Sequence, residues 1–203
     1  MSKILFLEDR PQRQKLYLPN HEKDIDILLS IKELEIPQGP KCKVLIDNIN
    51  TASFNLDDYF KLILIHKSSL NAQGLINITR FCKENNINLI LFSGNIGQLN
   101  YINESFELLN INSSDLYTDR LIPFINDFIN DKVESLLELI YDNWRLTYLL
   151  LLRQLLTSKE YGNENDVDRF EHKIENIKQI LSYNSEINKE NINEIIDEIL
   201  ISL

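Results

Sequence analysis

The chain has 203 residues, 43% of them hydrophobic, enough to bury the core of one large domain or of one domain with an appendage. Its five glycines and five prolines are too few for long linkers. A formal charge of -10, with no local run of lysine and arginine, excludes nucleic acid as a direct partner.

Strand and helix signals alternate from the start. Lys3 to Leu7 is an apolar strand that ends in two carboxylates, Glu8 and Asp9, followed by Arg10 and by Pro11, which starts a short helix. Leu18 to Lys41 is interrupted by Pro19, Pro37 and Pro40 and reads two ways. Lys32 to Ile36 would pair with Cys42 to Ile46 as a hairpin across Pro37-Gln38-Gly39-Pro40, while Ile25 to Leu34 also fits a helical period. Further strands are predicted within Ile25 to Ile31 or Cys42 to Ile46, and at Lys61 to Ile65, Asn88 to Phe92 and Phe106 to Leu109. A helix is predicted from about Leu70 to Asn85, with Leu75, Ile76, Ile78 and Phe81 on its apolar positions, and another after Ser114. This alternation predicts an α/β fold, a doubly wound, mainly parallel sheet of five strands between helices.

Beyond residue 131 strand signals stop. Helices are expected over Asp131 to Lys159, Asn165 to Tyr183 and Lys189 to Ser202, forming a C-terminal helical domain over 132–203 beside an α/β domain over 1–131. The first of these helices is apolar around nearly its whole circumference between Leu146 and Leu156. Two readings stand: burial within the protein, or an interface for a protein partner or a second copy built on Trp144, Tyr148, Leu149, Leu150 and Leu152. That run is too short and too polar to span a membrane. The N-terminus carries no basic segment leading into an apolar signal segment. The expectation is a soluble cytoplasmic protein with two reduced, buried cysteines, Cys42 and Cys82, and no cofactor.

The segments Lys3 to Pro11, Asp58 to Ile65 and Asn88 to Gly94 together resemble the first, third and fourth strands of bacterial response-regulator receiver domains. The resemblance covers residues 1–131 and implies a flavodoxin-like fold. It places Glu8 and Asp9 on the magnesium-binding acidic pair and Ser93 on the hydroxyl that senses a phosphoryl group. The phospho-acceptor aspartate falls on His66, Arg10 takes the variable slot, and the lysine expected after the fifth strand has no match, with Leu109-Asn110-Ile111-Asn112 there instead. Such a chain resembles a pseudo-receiver.

An aspartyl phosphate needs a carboxylate nucleophile, a divalent ion and a countercharge, so these losses imply a phosphorylation-incompetent signalling or interaction module. Its acidic pair would be neutralised from within by Arg10 or Lys67, with His66 as a hydrogen-bonded group. The alternative is a small metal-dependent hydrolase or ligand-binding protein using Glu8, Asp9, His66 and Ser93, in which Glu8, Asp9 and His66 hold a transition metal. His21 and His172 form no ligand spacing, and Ser93-Gly94-Asn95-Ile96-Gly97 lacks the lysine of a phosphate loop.

Overall fold

The computed structural model describes residues 3–56, 60–97, 99–103, 105–140, 152, 155–162, 164–168 and 170–171. The chain divides into two compact units, Met1–Ile140 and Tyr141–Leu203.

The first unit is a mixed α/β fold around a sheet of six strands. β1 (Lys3–Leu7), β2 (Leu34–Glu35), β3 (Phe60–His66), β4 (Asn88–Phe92), β5 (Asn100–Asn103) and β6 (Glu107–Ile111) lie in the order β2-β1-β3-β4-β6-β5. All pairings are parallel except that of β5 with β6. Without β5 the order is the 2-1-3-4-5 of flavodoxin-like sheets, whose ligand crevices lie beyond the strands' C-terminal ends. The helices are α1 (Pro11–Tyr17), α2 (Glu22–Ser30), α3 (Pro40–Asn50), α4 (Ala72–Asn85), α5 (Ser113–Leu116) and α6 (Leu121–Ile129).

Both faces of the sheet are covered, which is why its strands read as continuous apolar runs. Leu5, Leu7, Ile63, Ile65, Leu89 and Leu91 join Cys42, Ile46 and Ile49 of α3 and Ile78 and Cys82 of α4 in one buried cluster. The alternate residues Ile4, Phe6, Leu62, Leu64, Ile90 and Phe92 are equally buried and, by the two-residue period of a strand, point to the other face. There the Tyr117 ring packs on Phe6 and Phe92. α2 packs on both α1 and α6.

Four sequence expectations change. The five-stranded sheet has six strands, because Asn100–Asn103 adds an antiparallel edge; its two asparagines hide the strand signal, leaving Tyr101 and Ile102 as its only apolar residues. The hairpin between Lys32 to Ile36 and Cys42 to Ile46 does not form. Gly39, at φ 52, and Pro40, at the first helical position, instead begin α3, and β2 pairs in parallel with β1. The strand option within Ile25 to Ile31 gives way to α2. The helix expected from Asp131 is absent from 131–140, where Asp131 has φ 54 and the only regular turn is a 3-10 turn over Leu136–Leu139.

That turn is fastened to the sheet. Ser135 caps it and pairs reciprocally with Glu138, Glu107 Oε2 accepts from the Leu136 amide at 2.7 Å and the Ser135 hydroxyl at 3.1 Å, and Leu136, Leu137 and Leu139 are fully buried.

A second fastening positions the loop after β3. Asn50 Nδ2 donates to the Ser69 carbonyl at 3.2 Å and Asn50 Oδ1 accepts from the Asn71 amide at 2.9 Å. Gly74 permits this approach, since a Cβ there would overlap Asn50 Oδ1. Asn71 then caps α4 through the Gly74 amide at 2.7 Å, and Asn86 closes that helix in the left-handed region.

In the second unit, residues 155–160, 164–168 and 170–171 are helical and 161–162 form a turn, between the helices expected to end at Lys159 and to begin at Asn165. Leu155 and Phe170 are buried, Leu152 is half-buried, and Lys159 Nζ lies 2.7 Å from Glu171 Oε1. Trp144, Tyr148, Leu149 and Leu150, and the third helix expected over Lys189 to Ser202, lie outside the described residues.

Candidate functional site

The parallel register brings the sequence-predicted residues to one end of the sheet. Leu7 of β1 pairs with Ile65 of β3, so Glu8 and His66 follow side by side, and His66 pairs in turn with Phe92, the residue before Ser93. The chain leaves β1 through Glu8 and Asp9 into α1, which is started by Pro11.

His66 is the centre of the cluster. Its ring is fully buried, its Nδ1 lies 2.6 Å from Asp9 Oδ1 and 3.7 Å from Glu8 Oε1, and its face is tilted against the Phe92 ring at 5.5 Å. An ionised carboxylate only accepts, so the Nδ1 proton is donated to Asp9. Arg10, the expected partner of Asp9, does pair with it, at longer range: its Nε is 3.9 Å from Asp9 Oδ2 and its side chain is half exposed. The short contact to the acidic pair is made by His66, at the place where the resemblance puts a phospho-acceptor.

Glu8 is engaged at both oxygens. The Arg10 amide donates to Oε1 at 2.8 Å and the Tyr117 hydroxyl to Oε2 at 2.6 Å. Burial pushes the Glu8 carboxyl above its ordinary range; the bonds from Tyr117 and Arg10 and the proximity of His66 counter this, and Asp9 adds to it. Tyr117, 109 residues away in the chain, carries no local signal of this role. Its ring is held between Phe6 and Tyr17, nearly parallel to both.

Ser93 is buried, and its hydroxyl lies 2.6 Å from that of Ser68. The Ser93 amide donates to the Ile111 carbonyl and its carbonyl accepts from Ser113, which ties the β4 end to the β6 end. β6 runs to Ile111, two residues further than expected, so the residues after the fifth parallel strand are Asn112, Ser113 and Ser114. The lysine is missing there too. Asn112 caps α5 through the Ser114 amide at 3.0 Å and donates to the Ile96 carbonyl at 2.8 Å.

Cys42 sits against this site from α3. Burial, reinforced by Asp9 and Glu8, pushes its thiol up to about 11, so it stays protonated and unreactive at neutral pH.

One ligand atom from each of Glu8, Asp9 and His66 lies within 4.8 Å of the others, close enough in principle to share a metal ion. Three features oppose that use. The Nδ1 that would bind carries a proton donated to Asp9, Glu8 is already satisfied by two donors, and Glu8 and His66 are shut from solvent while only Asp9 is partly open. No protein-family model, no curated protein and no solved structure matches this chain.

Proposed function

We propose that this chain is a non-catalytic signalling or protein-interaction module, a pseudo-receiver in which an imidazole does permanently what an ion and a phosphoryl group do transiently in receivers. The single observation that carries the reading is the fully buried His66 with its Nδ1 2.6 Å from Asp9 Oδ1 and 3.7 Å from Glu8 Oε1. A buried imidazole is out of reach of a phosphodonor, and it occupies the hydrogen-bonding position beside the acidic pair that a phosphoryl group would need. The 2-1-3-4-5 order of the parallel strands supports the receiver comparison, and the strand ends carry Glu8, Asp9, His66 and Ser93 where that comparison needs them. Fold likeness alone assigns no activity, so the weight rests on the site.

In this reading the segment beyond Ile140, expected from its sequence to be helical, supplies the docking surface, either for a protein partner or for a second copy through Trp144, Tyr148, Leu149, Leu150 and Leu152. The test has two arms. Incubation with acetyl phosphate and magnesium, followed by intact mass measurement, is expected to leave the mass unchanged; a stoichiometric phosphoryl adduct would overturn the proposal. Light scattering at micromolar concentration is expected to give a dimer mass, and a monomer that also captures no protein partner would remove the docking role.

The second reading, a metal-dependent hydrolase or ligand-binding site, is favoured by the proximity of the three ligand atoms. Calorimetric titration with magnesium, manganese and zinc separates the two: saturable binding abolished by Asp9→Ala would establish the second.

A further inference from the structure

Both ends of α1 are tied to one carboxylate. At its start the Arg10 amide, at the N-cap, donates to Glu8 Oε1 at 2.8 Å. At its end Tyr17 stacks on Tyr117, with centroids 6.4 Å apart and planes 9° from parallel, and the Tyr117 hydroxyl donates to Glu8 Oε2 at 2.6 Å. Among the described residues, further ties of α1 run to α2 and the turn before it, where His21 Nδ1 lies 2.7 Å from the Lys15 carbonyl and Lys15 Nζ 3.4 Å from Glu22 Oε1. The helix spans seven residues without a side-chain cap, and Leu16 and Tyr17 are 70% and 53% exposed. A helix so short does not persist without tertiary contacts. A second route runs through rings: His66 packs on Phe92 and Phe92 meets Tyr117 edge to face at 5.9 Å.

We infer that Glu8 is a positioning residue coupling the acidic site to α1, so that a change at Asp9 or His66 is transmitted through Tyr117 to the outer surface at Leu16 and Tyr17. The buried carboxylate holds two donors that belong to different parts of the chain, the α1 N-cap and the segment before α6. Anything that moves or reorients Glu8 therefore alters both attachments of α1 together. The inference goes beyond the proposed function, because it holds whether the site is closed by His66 or takes an ion.

Hydrogen-exchange mass spectrometry on the full chain tests it, with peptides over α1 and over α4 as the internal control. Tyr117→Phe and Glu8→Ala are each expected to speed exchange across α1 and Leu18 on the order of tenfold while α4 is unchanged. Glu8→Gln, which keeps an acceptor for Arg10 and a polar group for Tyr117, is expected to stay close to wild type. His66→Asn is expected to speed α1 exchange in the wild-type background and to have a smaller effect in the Tyr117→Phe background, where only the Arg10 attachment and the ring contacts remain as links to the site, a dependence that mere destabilisation does not produce. Tyr17→Leu, at an exposed position that leaves the core intact, is expected to loosen the last turn of α1 alone. The inference is overturned if α1 exchanges at the wild-type rate in Tyr117→Phe and Tyr17→Leu. It is equally overturned if α4 loses protection in step with α1, or if His66→Asn acts the same with and without the Tyr117 hydroxyl.

Discussion

Replacing His66 with aspartate puts the account of the site under its sharpest strain. In the native protein one imidazole, buried at the end of β3, lies 2.6 Å from the partly exposed Asp9 and 3.7 Å from the buried Glu8. His66→Asp removes the hydrogen-bond partner of Asp9 and adds a third carboxylate beside Glu8 and Asp9, with Arg10 Nε remaining 3.9 Å from Asp9 Oδ2. Uncompensated buried charge costs about 3–5 kcal/mol, and the partial exposure of Asp9 places the expectation near the lower end, about 3 kcal/mol. With a urea dependence of roughly 1–3 kcal/mol/M, the midpoint should fall by roughly 1–3 M in chelator. Three carboxylates are also a site for a hard divalent ion. Magnesium at about 100 times its dissociation constant should return about 2.7 kcal/mol to the variant. Urea titrations of both proteins, with chelator and with magnesium, read this directly. Wild type is expected to be indifferent to magnesium and the variant dependent on it. A variant as stable as wild type in chelator would refute the reasoning, because the contact of the imidazole with the pair would then contribute nothing to stability.

Three further outcomes follow from other parts of the fold. Burial raises the Glu107 carboxyl above its ordinary 4.5, against the lowering effect of the Leu136 amide, Tyr101 and Ser135. A raised native pKa contributes stability that is complete below the unfolded value and lost as pH rises through the native one, so thermal melts of Glu107→Gln should gain on wild type as pH rises from about 4 to about 8; a pH-independent difference would contradict this. Gly74→Ala should destabilise by about 1–3 kcal/mol in chemical denaturation despite alanine's better helix propensity, because its Cβ meets Asn50 Oδ1, and a neutral or stabilising result would show that Asn50 yields. Cys42 should resist iodoacetamide in the folded protein near pH 8, with its thiol held at about 11 and buried; rapid alkylation without unfolding would place it in an accessible pocket.

The parts of the fold legible in the sequence are those where one local pattern had one meaning. β1 and β4 fall at Lys3–Leu7 and Asn88–Phe92 as their apolar runs indicate, and α4 follows its helical period. Pro37 to Pro40 misled because a glycine followed by a proline marks a turn and a helix start alike, and only the Gly39 φ of 52 decides for α3. β5 was hidden by asparagines, whose weak strand preference is overridden by pairing with β6. The site divides in the same way. Glu8, Asp9 and His66 were found because each ends a strand, and parallel register brings strand ends together. Their partners were not found. Choosing His66 over Arg10 for Asp9 depends on about 1 Å of side-chain placement, and Tyr117 reaches Glu8 from a loop whose position is set by tertiary packing.

The most direct measurement of the central claim is the imidazole of His66 itself, observed by nitrogen-15 NMR in uniformly labelled protein. The account predicts a protonated Nδ1 with a strongly downfield proton that exchanges slowly, disappears in Asp9→Asn, and does not move when equimolar zinc or excess magnesium is added. An Nδ1 without a proton, or a ring resonance that shifts stoichiometrically with zinc, would contradict it and return Glu8, Asp9 and His66 to the status of metal ligands.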